Sequence, residues 1–255
     1  MRDIQSEIDI RNIEIDKVGV KNLRYPIVLS DKAHQEQHTV ARINMYVNLP
    51  HQFRGTHMSR FIEILNKFRR EIAITNIGSI LREMKKRLVA ESAHLEIEFP
   101  YFIEKAAPIS KAKALMEYRC KFVGTYTDKM RLFMGVAVPI QTVCPCSKEI
   151  SEHGAHNQRS LIHVYVKFLG FLWLEDLIAL VEECGSSSVY SLLKREDEKY
   201  ITETAYQNPT FVEDVARNVA LRLNKQDNIP WYSVEVESYE SIHNHDAYAF
   251  IEKKK

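Results

Sequence analysis

The chain has 255 residues, 45% of them hydrophobic, enough for a sizeable core in one large domain or in two of about 125 residues each. Its 35 Lys and Arg against 34 Asp and Glu leave a formal charge of +1, which excludes a basic nucleic-acid binder and an acidic tail protein but allows a local cationic pocket for an anionic small molecule. Four cysteines are too few for a disulfide scaffold, the charged opening MRDIQSEIDIRNIEID has no apolar stretch of a secretory signal, and the most apolar run, FLGFLWL (168–174), is far too short to span a bilayer. A soluble cytoplasmic protein is expected, with no membrane partner.

In chain order, residues 23–30 and 38–49 read as strands, and Ile43, Met45, Val47 and Leu49 define an inner face at period two. Residues 57–68 and 77–89 have helical spacing, and 94–102 and 115–126 are strands again. Residues 130–143 form an extended apolar strand. Residues 160–168 alternate, with Ile162, Val164, Val166 and Phe168 on one side and His163, Tyr165 and Lys167 on the other. Helical spacing over 174–185 stops at Gly185, and a second helix covers 208–226, with Pro209 and Thr210 near its start and Val212, Val215, Val219 and Leu223 in its stripe. Residues 231–240 and 246–253 are the last strands. Each half therefore reads strand, strand, helix, helix, strand, strand, with little residue identity between the halves and no Gly/Pro/Ser-rich linker. Antiparallel sheets with helices on one face make an α+β architecture, with units over 20–129 and 130–255. A single mixed α+β domain without duplication is the simpler alternative.

Four stretches carry chemistry. CPCSKEISEHGAHNQRS (144–160) places Cys144 and Cys146 around Pro145, which holds the chain extended and turns the two thiols to opposite sides. One ion then takes one of them more easily than both, and a disulfide between them is poorly placed. C-x-C alone is a weak zinc signal, strengthened by His153 and His156 downstream. LLKREDEKYITETAYQNPTFVED (192–214) supplies Glu196, Asp197, Glu198, Glu203, Glu213 and Asp214, most of which belong on a solvated surface in the bland reading. ESIHNHDAYA (240–249) carries His243 and His245, on one face of a strand or in a turn. RGTHMSRF (54–61) gathers Arg54, His57, Ser59 and Arg60 where a strand gives way to a helix, a seat for phosphate oxygens or simply a capped helix start. One Cys, His and Glu make a natural catalytic set for zinc, and the carboxylate also tolerates Mn²⁺ or Fe²⁺.

Taken together, these stretches resemble the type IB GTP cyclohydrolases, over most of the chain from about residue 20 onward. The resemblance implies a tunnelling fold, two tandem ββααββ units assembled as a homotetramer with active sites at subunit interfaces. It implies a cytoplasmic, metal-dependent GTP cyclohydrolase I that converts GTP and water to formate and 7,8-dihydroneopterin 3′-triphosphate, the entry to tetrahydrofolate. It makes Cys144, His156 and Glu198 metal ligands and places His243 beside metal and substrate as ligand or proton carrier. Glu213 becomes the purine anchor, Cys146 a thiol that is not a ligand, and Arg54, His57 and Arg60 candidate triphosphate contacts. The divalent ion expected is Zn²⁺, Mn²⁺ or Fe²⁺.

Two rival enzymes share that fold. A nitrile reductase would use a Cys nucleophile and NADPH without a metal, and the downstream histidines count against it. A pyruvoyl-tetrahydropterin synthase would bind zinc through histidines only, and the Cys motif counts against that. A non-catalytic metal-binding oligomer is the alternative outside catalysis.

Overall fold

A computed structural model describes residue 5, residues 7–68 and residues 74–255. The expectation of no secretory signal falls partly on residues 1–4 and 6, which lie outside the described residues. Among the described residues no helix is long and apolar enough to cross a membrane.

The chain opens with β1 (Ile15–Asp31) and β2 (Gln35–Leu49), then α1 (Met58–Phe68) and α2 (Ile77–Leu88), then β3 (Ala93–Ala106) and β4 (Lys113–Tyr126). It continues with β5 (Met130–Val143), α3 (Pro145–Ile150), β6 (Asn157–Lys167), α4 (Leu174–Glu182) and the two-residue β7 (Ser187–Ser188). The last elements are α5 (Arg195–Gln207), α6 (Val212–Asn224), β8 (Trp231–Ser238) and β9 (Ala247–Lys254). The described strands form one nine-stranded sheet in the order β1-β2-β3-β4-β5-β6-β8-β9, with β7 on β5. The chain divides into two compact units, residues 1–100 with 121–133 and residues 101–120 with 134–255.

The tunnelling-fold expectation, two tandem ββααββ units with antiparallel sheets and helices on one face, is corrected by this arrangement. The described strands belong to a single sheet path, and the C-terminal half carries α3, α5 and β7 in addition to the six elements expected. The reason is physical. Hydrophobic periodicity reports the local period of a segment, whereas membership of one sheet or two depends on backbone pairing between distant segments. The extra helices came from stretches dominated by polar and reactive side chains, where no apolar stripe announces a helix.

In the first unit, the alternation of β2 buries Ile43, Met45, Val47 and Leu49, each at most 6% exposed. α1 and α2 pack on each other and on β1 and β2. β1 starts eight residues earlier than the apolar pattern, because the polar run from Ile15 to Asn22 pairs with β2 through two register shifts. Gly19 sits within that irregular pairing, where a Cβ would lie 1.9 Å from the Met45 carbonyl oxygen. Backbone cannot yield as a flexible side chain does, so Gly19→Ala is expected to lower stability by about 1–3 kcal/mol, the usual cost of overpacking. Urea unfolding of the two proteins measures this, and an unchanged midpoint would contradict it.

In the second unit, β6 buries Ile162, Val164 and Val166 completely, and β8 buries Tyr232, Val234 and Val236 opposite them. α6 packs on β8 and β9 through Val215, Val219 and Leu223, none of them exposed. The helix expected over 208–226 is therefore real from Val212, while its first residues form a connection that matters for the site. β8 and β9 pair from Trp231–Lys254 to Ser238–Ala247, leaving residues 239–246 as the loop between them.

Candidate active site

The site grows from the end of β5, where several connections are tied to one another. The Val143 carbonyl accepts the Thr210 N–H at 3.0 Å, and the Val143 N–H donates to Ser186 Oγ at 3.0 Å. Ser186 and Thr210 hydroxyls lie 2.9 Å apart, and Asn208 donates its side-chain N–H to the Gly185 carbonyl at 3.1 Å. These bonds dock the segment before α6 against the end of β5 and bring the first turn of α6 to the residue that follows, Cys144.

Cys144 is extended, but the chain does not remain so. Pro145 opens α3, a use of its fixed φ at the first helical position, and Cys146 is already helical. The expectation that Pro145 keeps the segment extended is thereby corrected. The half-buried Cys144 sulfur accepts the Ser147 N–H at 3.4 Å, its own N–H donates to the His156 carbonyl at 3.1 Å, and the His156 N–H donates to Ser147 Oγ at 3.2 Å. Lys148 anchors α3 from the other side, donating to the Tyr206 carbonyl at 2.6 Å. Cys144 and His156 are held together through the main chain, twelve residues apart in sequence.

A cavity of about 260 Å³ opens beside them, lined by Cys144, His156, Glu213, Glu240, His243 and His245 among others. Three of the four chemical stretches thus converge within the second unit. His243 and His245 stack with ring centres 5.2 Å apart, and the His243 ring stands edge-on to His156 at 6.3 Å. The choice between a strand and a turn for this histidine pair resolves as the β8–β9 loop. Phe211 N–H donates to Asp214 Oδ2 at 3.2 Å, so Asp214 serves the helix start. The exposed Glu213 carboxylate has no hydrogen-bond or ion-pair partner among the described residues.

The other expected site residues do not line this cavity. Glu198 is exposed on α5 and does not line this cavity. Cys146 is exposed on α3, and His153 is exposed in the turn after it. Arg54, His57 and Arg60 belong to the first unit. Arg54 pairs with Glu7 at 3.3 Å, Arg60 donates to the Arg87 carbonyl at 3.0 Å, and the His57 carbonyl accepts the Arg60 N–H. No group of three or more His, Cys, Asp and Glu side chains among the described residues is gathered tightly enough to hold an ion.

Asp197, counted in sequence with the solvated carboxylates, is fully buried and structural. Burial by itself would raise its pKa. The Ser110 hydroxyl at 2.5 Å and the N–H groups of Ser110, Lys194 and Ile109 at 2.8–2.9 Å outweigh that and hold it well below the usual carboxylate range. A depressed folded-state pKa contributes stability that is present above the unfolded value near 4 and is lost as pH falls through the folded value. Asp197→Asn is therefore expected to melt lower at pH 7, with the gap to wild type narrowing on acidification below about pH 4. Melting curves across that range measure it, and a pH-independent gap would contradict it.

Sequence reasoning did not single out Glu240 or Gln158. Glu240 follows β8, its side chain only 12% exposed, with Oε2 3.9 Å from His156 Nδ1. Gln158 lies between them, 3.0 Å from His156 Nδ1 and 3.4 Å from Glu240 Oε1. Both stood inside the quoted stretches, but one Glu or Gln among many carries no spacing signal.

A mostly antiparallel sheet that carries a Cys-, His- and Glu-lined cavity has the make-up of an enzyme. Comparison with known proteins narrows this. The family model for type I GTP cyclohydrolase folE2 matches residues 1–249, and the chain belongs to that family. Curated relatives named GTP cyclohydrolase FolE2 include those of Syntrophotalea carbinolica, 62% identical over 252 residues, 99% of this chain and 95% of the relative, and of Syntrophus aciditrophicus, 62% identical over all of both chains. The Geobacter sulfurreducens relative is 59% identical over all of this chain and 99% of its own length. Among solved structures, a highly active mutant of Bacillus sp. TB-90 urate oxidase aligns with a TM-score of 0.53 at 8% identity, covering 94% of this chain and 100% of that one. Uricase from Arthrobacter globiformis aligns with a TM-score of 0.51 at 7% identity, covering 93% and 92%. At such identities the likeness is one of fold, and it is to this uricase arrangement that the nine-stranded sheet corresponds.

Proposed function

We propose that the chain is a metal-dependent GTP cyclohydrolase I that converts GTP and water to formate and 7,8-dihydroneopterin 3′-triphosphate, the first step of tetrahydrofolate biosynthesis, in the cytoplasm. The observation that carries the reading is the single cavity in which Cys144, His156, Glu213 and His243 meet, in a chain matched by the family over residues 1–249.

The donor set suits a divalent ion. His156 has Nδ1 engaged by Gln158, which leaves Nε2 as its donor, and a thiol beside an imidazole is a borderline-soft pair. Cys144 and His156 would hold Zn²⁺, Mn²⁺ or Fe²⁺, with Glu198 as a further ligand and His243 as either a ligand or the proton carrier beside the ion. Such an ion supplies Lewis acidity that makes water nucleophilic near neutral pH. Everything else falls to this chain's own groups. Glu213 accepts N1–H and N2–H of guanine and fixes the base in orientation. C8 of guanine is a poor electrophile until N7 is protonated, and His243 is the imidazole available to carry that proton. Arg54 and His57, which precede α1, and Arg60 in its first turn are candidate contacts for the triphosphate. Glu213, His243 and His245 are exposed at the rim of the cavity. A homotetramer with active sites at subunit interfaces would cover that rim and offer Glu198 a route to the site.

Incubation with GTP, followed by oxidation, dephosphorylation and detection of neopterin fluorescence, tests the reading. Product is expected from GTP and none from ATP, with chelation stopping turnover while far-ultraviolet circular dichroism is unchanged. Absence of product from metal-loaded protein would overturn it. Collapse of the fold on chelation would instead favour a non-catalytic metal-binding oligomer.

A further inference from the structure

Gln158 is the second residue of β6, two residues beyond His156, and its amide makes three side-chain contacts at the wall of the cavity. Oε1 lies 3.0 Å from His156 Nδ1, and Nε2 lies 3.2 Å from Thr142 Oγ1 and 3.4 Å from Glu240 Oε1. An ionised carboxylate accepts hydrogen bonds and donates none. The NH₂ end of the amide therefore belongs toward Glu240, and the carbonyl end toward His156. A carbonyl oxygen accepts only, so His156 Nδ1 carries the proton, and the Nε2 lone pair is left as the ring's only electron-pair donor to a cation. The Glu240 carboxylate, 3.9 Å from Nδ1, is too distant to take this role itself.

The amide is anchored from beneath. Thr142, Ser160 and Ser238 are at most 2% exposed, and their hydroxyls stand 2.7–3.3 Å from one another. Thr142 Oγ1 can accept from Gln158 and donate onward into this cluster, so the network satisfies the Gln158 N–H without a free donor. These three hydroxyls lie on β5, β6 and β8, so the orientation of His156 is fixed by the sheet itself.

We propose that Gln158 is a positioning residue that locks His156 as its Nδ1–H tautomer and so pre-forms the Nε2 donor for a divalent cation. The part concerning the cation rests on the reading of His156 as a ligand given above. The tautomer part does not, and this separates the two in the experiment. Imidazole nitrogens of ¹⁵N-histidine-labelled, metal-free protein are observed by NMR for wild type, Gln158→Leu and Gln158→Glu, with the His156 signals assigned by their loss in His156→Gln. Zn²⁺ affinity of the same proteins is measured by chelator competition, and circular dichroism checks that each is folded. Wild type is expected to show the Nδ1–H tautomer. Leucine removes the acceptor, so Gln158→Leu is expected to show a tautomer mixture and to bind Zn²⁺ about 10–100-fold more weakly, as loss of a ligand's outer hydrogen bond typically does. Glutamate still accepts from Nδ1–H, so Gln158→Glu is expected to restore the wild-type tautomer. If Gln158→Leu keeps a pure Nδ1–H tautomer, or if Gln158→Glu loses it as completely as Gln158→Leu, the positioning role is overturned. If wild type shows the expected tautomer, Gln158→Leu loses it, and no protein binds Zn²⁺, the positioning role stands and the assignment of His156 as a metal ligand fails.

Discussion

Cys144→Ala is expected to lose tightly bound metal and to lower kcat/KM for GTP by about 10³-fold or more, while Cys146→Ala keeps its metal and most of its activity. The magnitude follows from what a bound ion supplies: several kcal/mol of charge stabilisation at the reacting centre, at 1.36 kcal/mol per tenfold in rate. The asymmetry follows from the fold. Cys144 follows β5 and caps α3, with its N–H on the His156 carbonyl and its half-buried sulfur at the cavity wall. Cys146, one residue into α3, is exposed and does not line that cavity. Cys144→Ala also removes the sulfur that accepts the Ser147 N–H, a loose bond at 3.4 Å, so a small loss of stability accompanies it. Metal content, kcat/KM and melting temperature measured together separate the two effects. A Cys146→Ala protein that loses metal while Cys144→Ala retains it would show that the two thiols have been exchanged.

The fold was legible where a segment buries one face. β2, β6 and α6 each place alternate or helical-period apolar residues in the core, and the expected inner residues Ile43, Met45, Val47, Val215, Val219 and Leu223 are buried, while Val212, at the first position of α6, is only half-buried. It was illegible where structure is fixed by polar contacts. α5 carries Arg195, Glu196, Asp197, Glu198 and Lys199 in its first five residues, and it is held by the buried Asp197 bonding to Ile109 and Ser110, far away in sequence. α3 has no buried residue at all, and its side-chain contacts are polar: Cys144 Sγ accepts the Ser147 N–H, Ser147 Oγ accepts the His156 N–H and Lys148 donates to the Tyr206 carbonyl. The joining of strands into one nine-stranded sheet likewise lies in long-range pairing that no local period records.

The site divides in the same way. Cys144, His156, Glu213 and His243 were recoverable as residue types, and the resemblance to a family gave them roles. Gln158 and Glu240 were not, because their significance lies in distances to His156 that arise only when β6 and β8 pair at Ser160 and Ser238. The separation of Cys146 from the site was expected from an extended Cys-Pro-Cys segment, whereas the chain turns into a helix at Pro145.

Glu213→Gln is expected to reduce kcat/KM for GTP by about 10²–10⁴-fold with metal content near wild type, since two charge-assisted hydrogen bonds at roughly 1.5–3 kcal/mol each are lost or weakened. Guanine presents N1–H and N2–H side by side, and an ionised carboxylate offers two acceptors and no donor. Glutamine replaces one acceptor oxygen with an NH₂ group that meets a guanine donor head-on, and it removes the charge. Adenine presents an acceptor at N1 and has no 2-amino group, so ATP leaves the carboxylate unmatched and is expected to be a poor competitor of GTP for wild type. The bland alternative makes Glu213 a stabiliser of the start of α6, where negative charge favours the helix dipole. Asp214 takes the Phe211 N–H and so serves the helix start, while Glu213, also in the first turn, lines the cavity shared with Cys144 and His243 and has no hydrogen-bond or ion-pair partner among the described residues. A helix-start role would lower the melting temperature and leave kcat/KM intact, and a ligand role would lower metal content. Near-normal kcat/KM in folded Glu213→Gln, or loss of metal from it, would therefore reject the assignment of Glu213 to the guanine base.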